Sequence, residues 1–372
     1  MSLNQSRMGL CTLLMAVLFT TAAFSAAVSI DYSSSLKAGK AELQSAGPLA
    51  FGPDGVLFVG DSMGAAVFAL ATEDTASSSP GRVDISGINE KVAALLGTSA
   101  DQILINDIAV NPASKRVYLS VSRGRGPDAT PLILRVDASG KLEEFSLENV
   151  KHARVTLPNA PDPDAKNRRG QSLRLEAITD LAFVDDRVFI AGLSNEEFAS
   201  KLHSIPFPFD KAGSGASVEI YHGAHGRFET NAPVRTFVSY EIENEPYILA
   251  AYTCTPLVKF PVSSLTAGAK VLGTTIAELG NRNRPLDMIT YEKDGSRFIL
   301  MNNSSRGVMK ISAENLGSYE AITERTDIRG VSYETIDHLK GVQQLDRLDE
   351  TNALILVSTD SGSLDLKTIA LP

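Results

Sequence analysis

The 372-residue chain contains no tryptophan, only two cysteines and only five histidines. Without tryptophan there is no tryptophan-derived quinone cofactor and no Trp-Asp repeat signature of the commonest propeller class. Two cysteines exclude a disulfide framework, a cysteine-rich zinc site and a C-x-x-C-H haem attachment, so no haem is expected. The chain also lacks a G-x-S-x-G elbow, an H-E-x-x-H helix, a P-loop and a dinucleotide fingerprint, which removes support from serine hydrolase, zincin and nucleotide-dependent chemistry; no nucleotide is expected. What is present, 43% apolar and 21% charged residues with 28 Gly and 17 Pro, is the composition of a globular protein rich in turns.

The first 27 residues read as a separate device. Arg7 is the only charge before an uncharged, mostly apolar run from Leu10 to Phe24, and small residues follow from Ser25 to Ala27, the order of a secretory signal. The expected destination is secreted or periplasmic. The alternative is an uncleaved anchor, because the uncharged stretch continues to Ile30. Cleavage removes Cys11 and Arg7, leaving Cys254 as the one thiol and taking the formal net charge from −9 to −10. An acidic surface opposes nonspecific nucleic-acid binding and offers no attraction to an anionic membrane, so neither partner is expected.

From residue 28 onward a strand, turn, strand pattern recurs six times, as short apolar runs bounded by Asp-Gly, Asn-Pro and similar turn chemistry. The units are Gly47 to Leu70, Asp107 to Ser120, Asp180 to Ala191, Thr236 to Ala251, Asp287 to Met301 and Val342 to Val357, each continuing into a third strand and often a fourth, such as Arg82 to Ile85. This predicts an all-β, six-bladed propeller of four-stranded blades, one domain over 28–372. The last unit runs out after its third strand, Leu364 to Ala370, so an N-terminal strand, around Lys40 to Ser45, is expected to complete it and close the ring.

In such a ring the starts of the innermost strands and the loops between second and third strands converge on one end of the channel. Asp107, Asp180 and Asp287 with Asn106 could present oxygens to Ca²⁺ or another divalent cation there, or could cap their own strands. His222 and His225, two residues apart, suit a general base or a metal. Arg123, Arg125, Asn195, Cys254, Asn303, Arg306, Asp61 and Asp360 are the remaining candidates for contact with a small molecule, peptide or protein at that mouth.

Gly47 to Leu70, with Pro53-Asp54-Gly55 in its turn and Val59-Gly60-Asp61-Ser62 after its second strand, resembles NHL-repeat propellers. The Asn106-Asp107 and Arg284-Pro285-Leu286-Asp287 strand starts are similar to those of the gluconolactonase, paraoxonase and strictosidine synthase group. That resemblance implies a channel cation held by Asp107, Asp180, Asp287 and Asn106, although blade one begins with Gly47-Pro48 where the lactonases carry a liganding Glu. The expected activity is cation-dependent hydrolysis of a lactone or ester, with His222 or His225 as base. A noncatalytic binding propeller and a quinone-cofactor dehydrogenase are the alternatives, since one fold hosts many functions.

Overall fold

Three of the inner hairpins show why these sequences turn where they do. Asp185-Asp186, Glu243-Asn244 and Asp294-Gly295 all take positive φ at both positions, and each joins strands paired on either side, Val184 to Arg187, Ile242 to Glu245 and Lys293 to Ser296. Two consecutive left-handed residues are what a two-residue hairpin needs to follow the strand twist. The computed structural model describes residues 1, 31–77, 81–126, 128–137 and 139–372. Residues 2–30, with nearly all of the expected signal and the alternative anchor, lie outside the described residues.

Tyr32–Pro372 forms one unit of six sheets, antiparallel among the described strands except where Ala216–His222 pairs in parallel with Lys270–Leu272, an all-β six-bladed propeller. Its core is divided among six apolar clusters, each lying between the faces of two blades. Middle strands are therefore covered on both sides, and Val56–Asp61 and Ala66–Ala71 are buried at every position.

The clusters also reveal that the ring does not follow chain order. Numbering blades by sequence, blade one packs between blades two and three, and blade two packs between blades one and six. Blades one and two have thus exchanged places, giving the circular order three, four, five, six, two, one. The strands show how this is achieved. Leu49–Phe51, Val56–Asp61 and Ala66–Ala71 form three strands of blade one, and the chain then passes blade two, where Asp74 is held by Ser114, Tyr118 and Arg116, to reach blade six. There Asp84–Ile85 pairs with the C-terminal strand Leu364–Ala370. Blade two follows as Ile103–Val110, Val117–Arg123, Thr130–Val136 and Leu142–Phe145. The chain then returns to blade one, where Val150–Thr156 supplies the missing fourth strand.

The last blade is completed from the N-terminal side of the chain, as expected, but by Asp84–Ile85 and not by Lys40 to Ser45. Arg82 to Ile85 accordingly is no part of blade one. Lys37–Gly39 lies instead on the outer edge of blade one, beside Val150–Thr156. The closing strand is only two residues long, and side chains extend it. Thr368 Oγ1 accepts from Val83 N at 2.9 Å and donates to Val83 O at 3.0 Å, and Asp365 Oδ1 accepts from Gly87 N at 2.9 Å. The helix Ile88–Leu95 then fills the gap between blades six and two.

Thr368→Val removes both hydroxyl bonds while keeping the shape. It is expected to lower the unfolding free energy by about 1–3 kcal/mol in denaturant titration. A loss below about 0.5 kcal/mol, the range of an inert surface change, would show that the backbone pairing and packing close the ring without the hydroxyl.

Candidate functional site

A cavity of about 1040 Å³ opens at one end of the channel. One wall is the segment from Gln44 to Pro48. It is held there by buried Asp61, whose Oδ1 accepts from Ser45 N, Ser45 Oγ and Gly64 N, each at 2.8 Å, and whose Oδ2 accepts from Gln44 N at 2.9 Å. A second wall comes from the long connection before blade three, which carries Lys166 and Glu176. Gly192 lets that connection close in, since a Cβ there would stand 2.0 Å from the Ala177 carbonyl oxygen. Arg235, Arg284, Gln343, Gln344, Asn106 and Ser122 supply much of the remaining polar lining.

Arg235 pairs with Glu176 and donates from Nε to Thr253 Oγ1 at 3.1 Å. Burial lowers its pKa, Glu176 opposes the shift, and the neighbouring charge of Arg284 adds to it. Two guanidinium groups therefore face the cavity from adjacent blades. Among the described residues, the lining holds no histidine and no aromatic ring.

Below the cavity, Asp107, Asp180 and Asp287 also line a second opening of about 590 Å³ from the far side, which places them at the waist of the channel. Each performs the same local task. Asp180 accepts from its own neighbour Leu181 N at 2.8 Å and from Phe237 N, on the innermost strand of blade four, at 2.8 Å. Asp287 does the same with Met288 N and Leu345 N of blade six, and Asp346, which the sequence reading missed, with Arg347 N and Val110 N of blade two. Asp107 accepts from Ile108 N and Leu49 N of blade one. Each carboxylate thus reaches forward to the next blade, in the order already read from the core. Strand capping, one of the two expected roles, is present at all of these positions.

Enclosure by protein raises these acids. Asp180 rises to about 7 and Asp346 to about 6, both chiefly through desolvation. Asp107 and Asp287 are pushed well above the usual range by burial and by repulsion from neighbouring carboxylates. Asn106 is turned into the scaffold, donating to Ala46 O and Ser122 Oγ.

The other candidates are scattered over the fold. Arg123 and Arg125 fold back on backbone carbonyls of Leu96, Asp101 and Ile103. Asn303 closes its own turn through Gly307 O and Asn283, and Arg306 donates to Asn281 O. Asn195 and Asp360 are exposed, and neither lines the cavity. His222 and His225 do not line it either; they converge with Cys254 beside it, in a separate cluster. Sequence reasoning missed Glu229, which bonds both histidines, and Glu278, a buried carboxylate raised to about 8 by desolvation. An acid inside the apolar strand Thr274–Leu279 was the available signal for the latter.

No family profile matches the chain, and no curated protein does. Similar solved structures include an oxidoreductase described as a glucose dehydrogenase from Thermus thermophilus, 12% identical over 90% of this chain and 100% of that one, with a TM-score of 0.35. A PQQ-bound aldose sugar dehydrogenase from Streptomyces coelicolor is 12% identical over 90% and 97%, with a TM-score of 0.29. An engineered GH43 glycoside hydrolase is 10% identical over 73% and 52%, with a TM-score of 0.36. Likeness at this level bears on neither activity nor ligand.

The raised carboxyls set a pH dependence. The folded state holds protons on these acids at pH values where the unfolded chain has lost them, so their stabilisation is fully present below the unfolded values near 4 and is lost as pH rises through the folded ones, about 6 to 8. His203, lowered to about 4 by burial, acts oppositely below its unfolded value of 6.5. The melting temperature should therefore rise between pH 8 and pH 6.5, and Asp180→Asn should flatten part of that rise. A melting temperature that falls over this interval would contradict the assignment.

Proposed function

We propose that the protein is a secreted or periplasmic propeller that captures a small anionic molecule at its channel mouth. The observation that carries this reading is the pairing of Arg235 and Arg284 at the cavity wall with Glu176 as the only carboxylate paired to them among the described residues. Guanidinium groups hold carboxylate or phosphate through two parallel N–H bonds. The amides of Gln343 and Gln344 and the hydroxyls of Ser45 and Ser122 are suited to hydroxyl groups on the same ligand, and the cavity is of the size that encloses a small molecule. The acidic end of a peptide offers the same carboxylate chemistry.

A cation-dependent hydrolase is the second reading, favoured by the mutual repulsion of Asp107, Asp180 and Asp287. Ca²⁺ at the waist would offset that repulsion and polarise a lactone or ester carbonyl above it. Each of these carboxylates already satisfies two backbone N–H groups, which supports the structural role over the metal one. The base for such chemistry would have to come from the cavity's own carboxylates. A quinone dehydrogenase needs flat walls for the cofactor beside its base, and among the described residues the cavity lining holds no aromatic ring and no histidine.

The test is equilibrium binding to a panel of hydroxy acids and sugar acids beside their lactones and the neutral sugars, with and without Ca²⁺. Acids should bind in preference, and Arg284→Ala, an exposed position, should weaken them by about 10- to 100-fold. Equal binding of neutral members, with no effect of Arg284→Ala, would overturn the anion reading. Turnover of lactones that requires Ca²⁺ would establish the hydrolase in its place.

A further inference from the structure

Beside the channel mouth, and sharing no residue with its cavity, His222, His225 and Cys254 bring one ligand atom each within 4.8 Å of one another. We propose that these three side chains form a binding site for a borderline or soft first-row cation, Zn²⁺ or copper, oriented by Glu229. Nothing about the anion cavity is required for it.

The argument starts from the nitrogen atoms. Glu229 takes the Nδ1 of both histidines, His222 at Oε2 over 2.9 Å and His225 at Oε1 over 2.7 Å, and is steadied by Arg227 Nε at 3.1 Å. With Nδ1–H donated to the carboxylate, each ring presents the Nε2 lone pair. His222 is 2% exposed, and its Nε2 has no hydrogen-bond partner. A buried ring nitrogen without a partner is costly, and a cation would satisfy it. A carboxylate behind a histidine that faces an empty coordination position is the usual outer arrangement of a metal site.

The backbone on both sides is built to hold this geometry. The H-x-x-H segment turns tightly, with Gly226 N bonded to His222 O at 2.8 Å, so that the two rings lie side by side with centroids 3.8 Å apart. Glu278 accepts from Gly223 N at 2.5 Å, and Thr326 N donates to Gly223 O at 3.0 Å, pinning the loop from two directions. Opposite, Cys254 and Thr255 are consecutive left-handed residues, φ 67 and 60. L residues seldom adopt this conformation, and it persists only where surroundings enforce it. Here Cys254 N donates to Asn283 O at 2.6 Å and Thr255 Oγ1 to Gly280 O at 2.7 Å. The free thiol is thus presented at a fixed place.

The donor set selects the ion. A thiolate with two imidazoles suits zinc or copper and is poor for Ca²⁺ or Mg²⁺, which prefer oxygen. Three protein ligands leave a fourth position open, and the partial exposure of His225 and Cys254 gives a cation its way in. Binding costs the thiol its proton, which is released to solvent.

The full chain, stripped with chelator, is titrated with Co²⁺ as a spectroscopic probe. The expected result is one equivalent bound with a thiolate-to-metal charge-transfer band, displaced by Zn²⁺ and unaffected by excess Ca²⁺. Cys254→Ser should abolish the band, Cys11→Ser should leave it, and Glu229→Gln should weaken binding by about 10- to 100-fold. His225→Gln, at a half-exposed position where folding is least at risk, should weaken it by at least about tenfold, with far-UV circular dichroism unchanged. If wild type and Cys254→Ser bind Co²⁺ alike, or if no stoichiometric binding occurs, the cluster is a His–Glu–His hydrogen-bond chain and the proposal fails.

Discussion

The structure depends on one repeated bond: a carboxylate on an innermost strand that accepts from its own following N–H and from an N–H of the neighbouring blade. The clusters between blades are apolar, and hydrophobic packing is not directional. A directional bond at the narrowest radius fixes which blade follows which and at what height. Asp180, Asp287, Asp346 and Asp107 link blades three to four, five to six, six to two and two to one. Four bonds aimed the same way around a ring whose chain order is exchanged show that the device follows position in space and not position in sequence. Its cost is the desolvation of several like charges around one channel, visible in their raised proton affinity.

That exchange explains what was legible and what was not. Blade count and turn positions are local properties, carried by Asp185-Asp186, Glu243-Asn244, Asp294-Gly295 and the apolar runs beside them, and they were readable. Which sheet accepts an outer strand is a nonlocal property. Asp84–Ile85 and Val150–Thr156 are short or mixed in character, half exposed along much of their length, and nothing in their pattern names a partner. Strand pairing is set by which edge lies within reach after the blades have packed, and a linear repeat cannot encode a swap of two neighbours.

The site was legible in part for the same reason. The aspartates at the strand starts stood out by periodicity, yet the same spacing serves capping and cation binding, and only the backbone partners separate the two. His222, His225 and Cys254 could be singled out as rare residue types, although 29 or more positions separate the thiol from the histidines. Glu229 was missed because an acid four residues after a histidine, beside Arg227, resembles any charged surface turn. Arg235 drew no notice and Arg284 was noted only as part of a strand-start motif; their meaning comes from adjacency across two blades.

The two sites share one face and one point of contact. Thr253 Oγ1 accepts from Arg235, which lines the channel cavity, while the next residue in the chain, Cys254, faces the histidine pair. The turn between the second and third strands of blade four has two left-handed residues at this point and is bonded to Asn283 and Gly280. A cation on Cys254 would draw on the same turn that positions Arg235, and an anion on Arg235 would draw on it from the other side. Coupling between them requires the turn to have two arrangements, because a single rigid one transmits nothing. The strained backbone at Cys254 and Thr255 is where a second arrangement would cost least, since leaving the left-handed region relieves strain in the same step that moves the thiol.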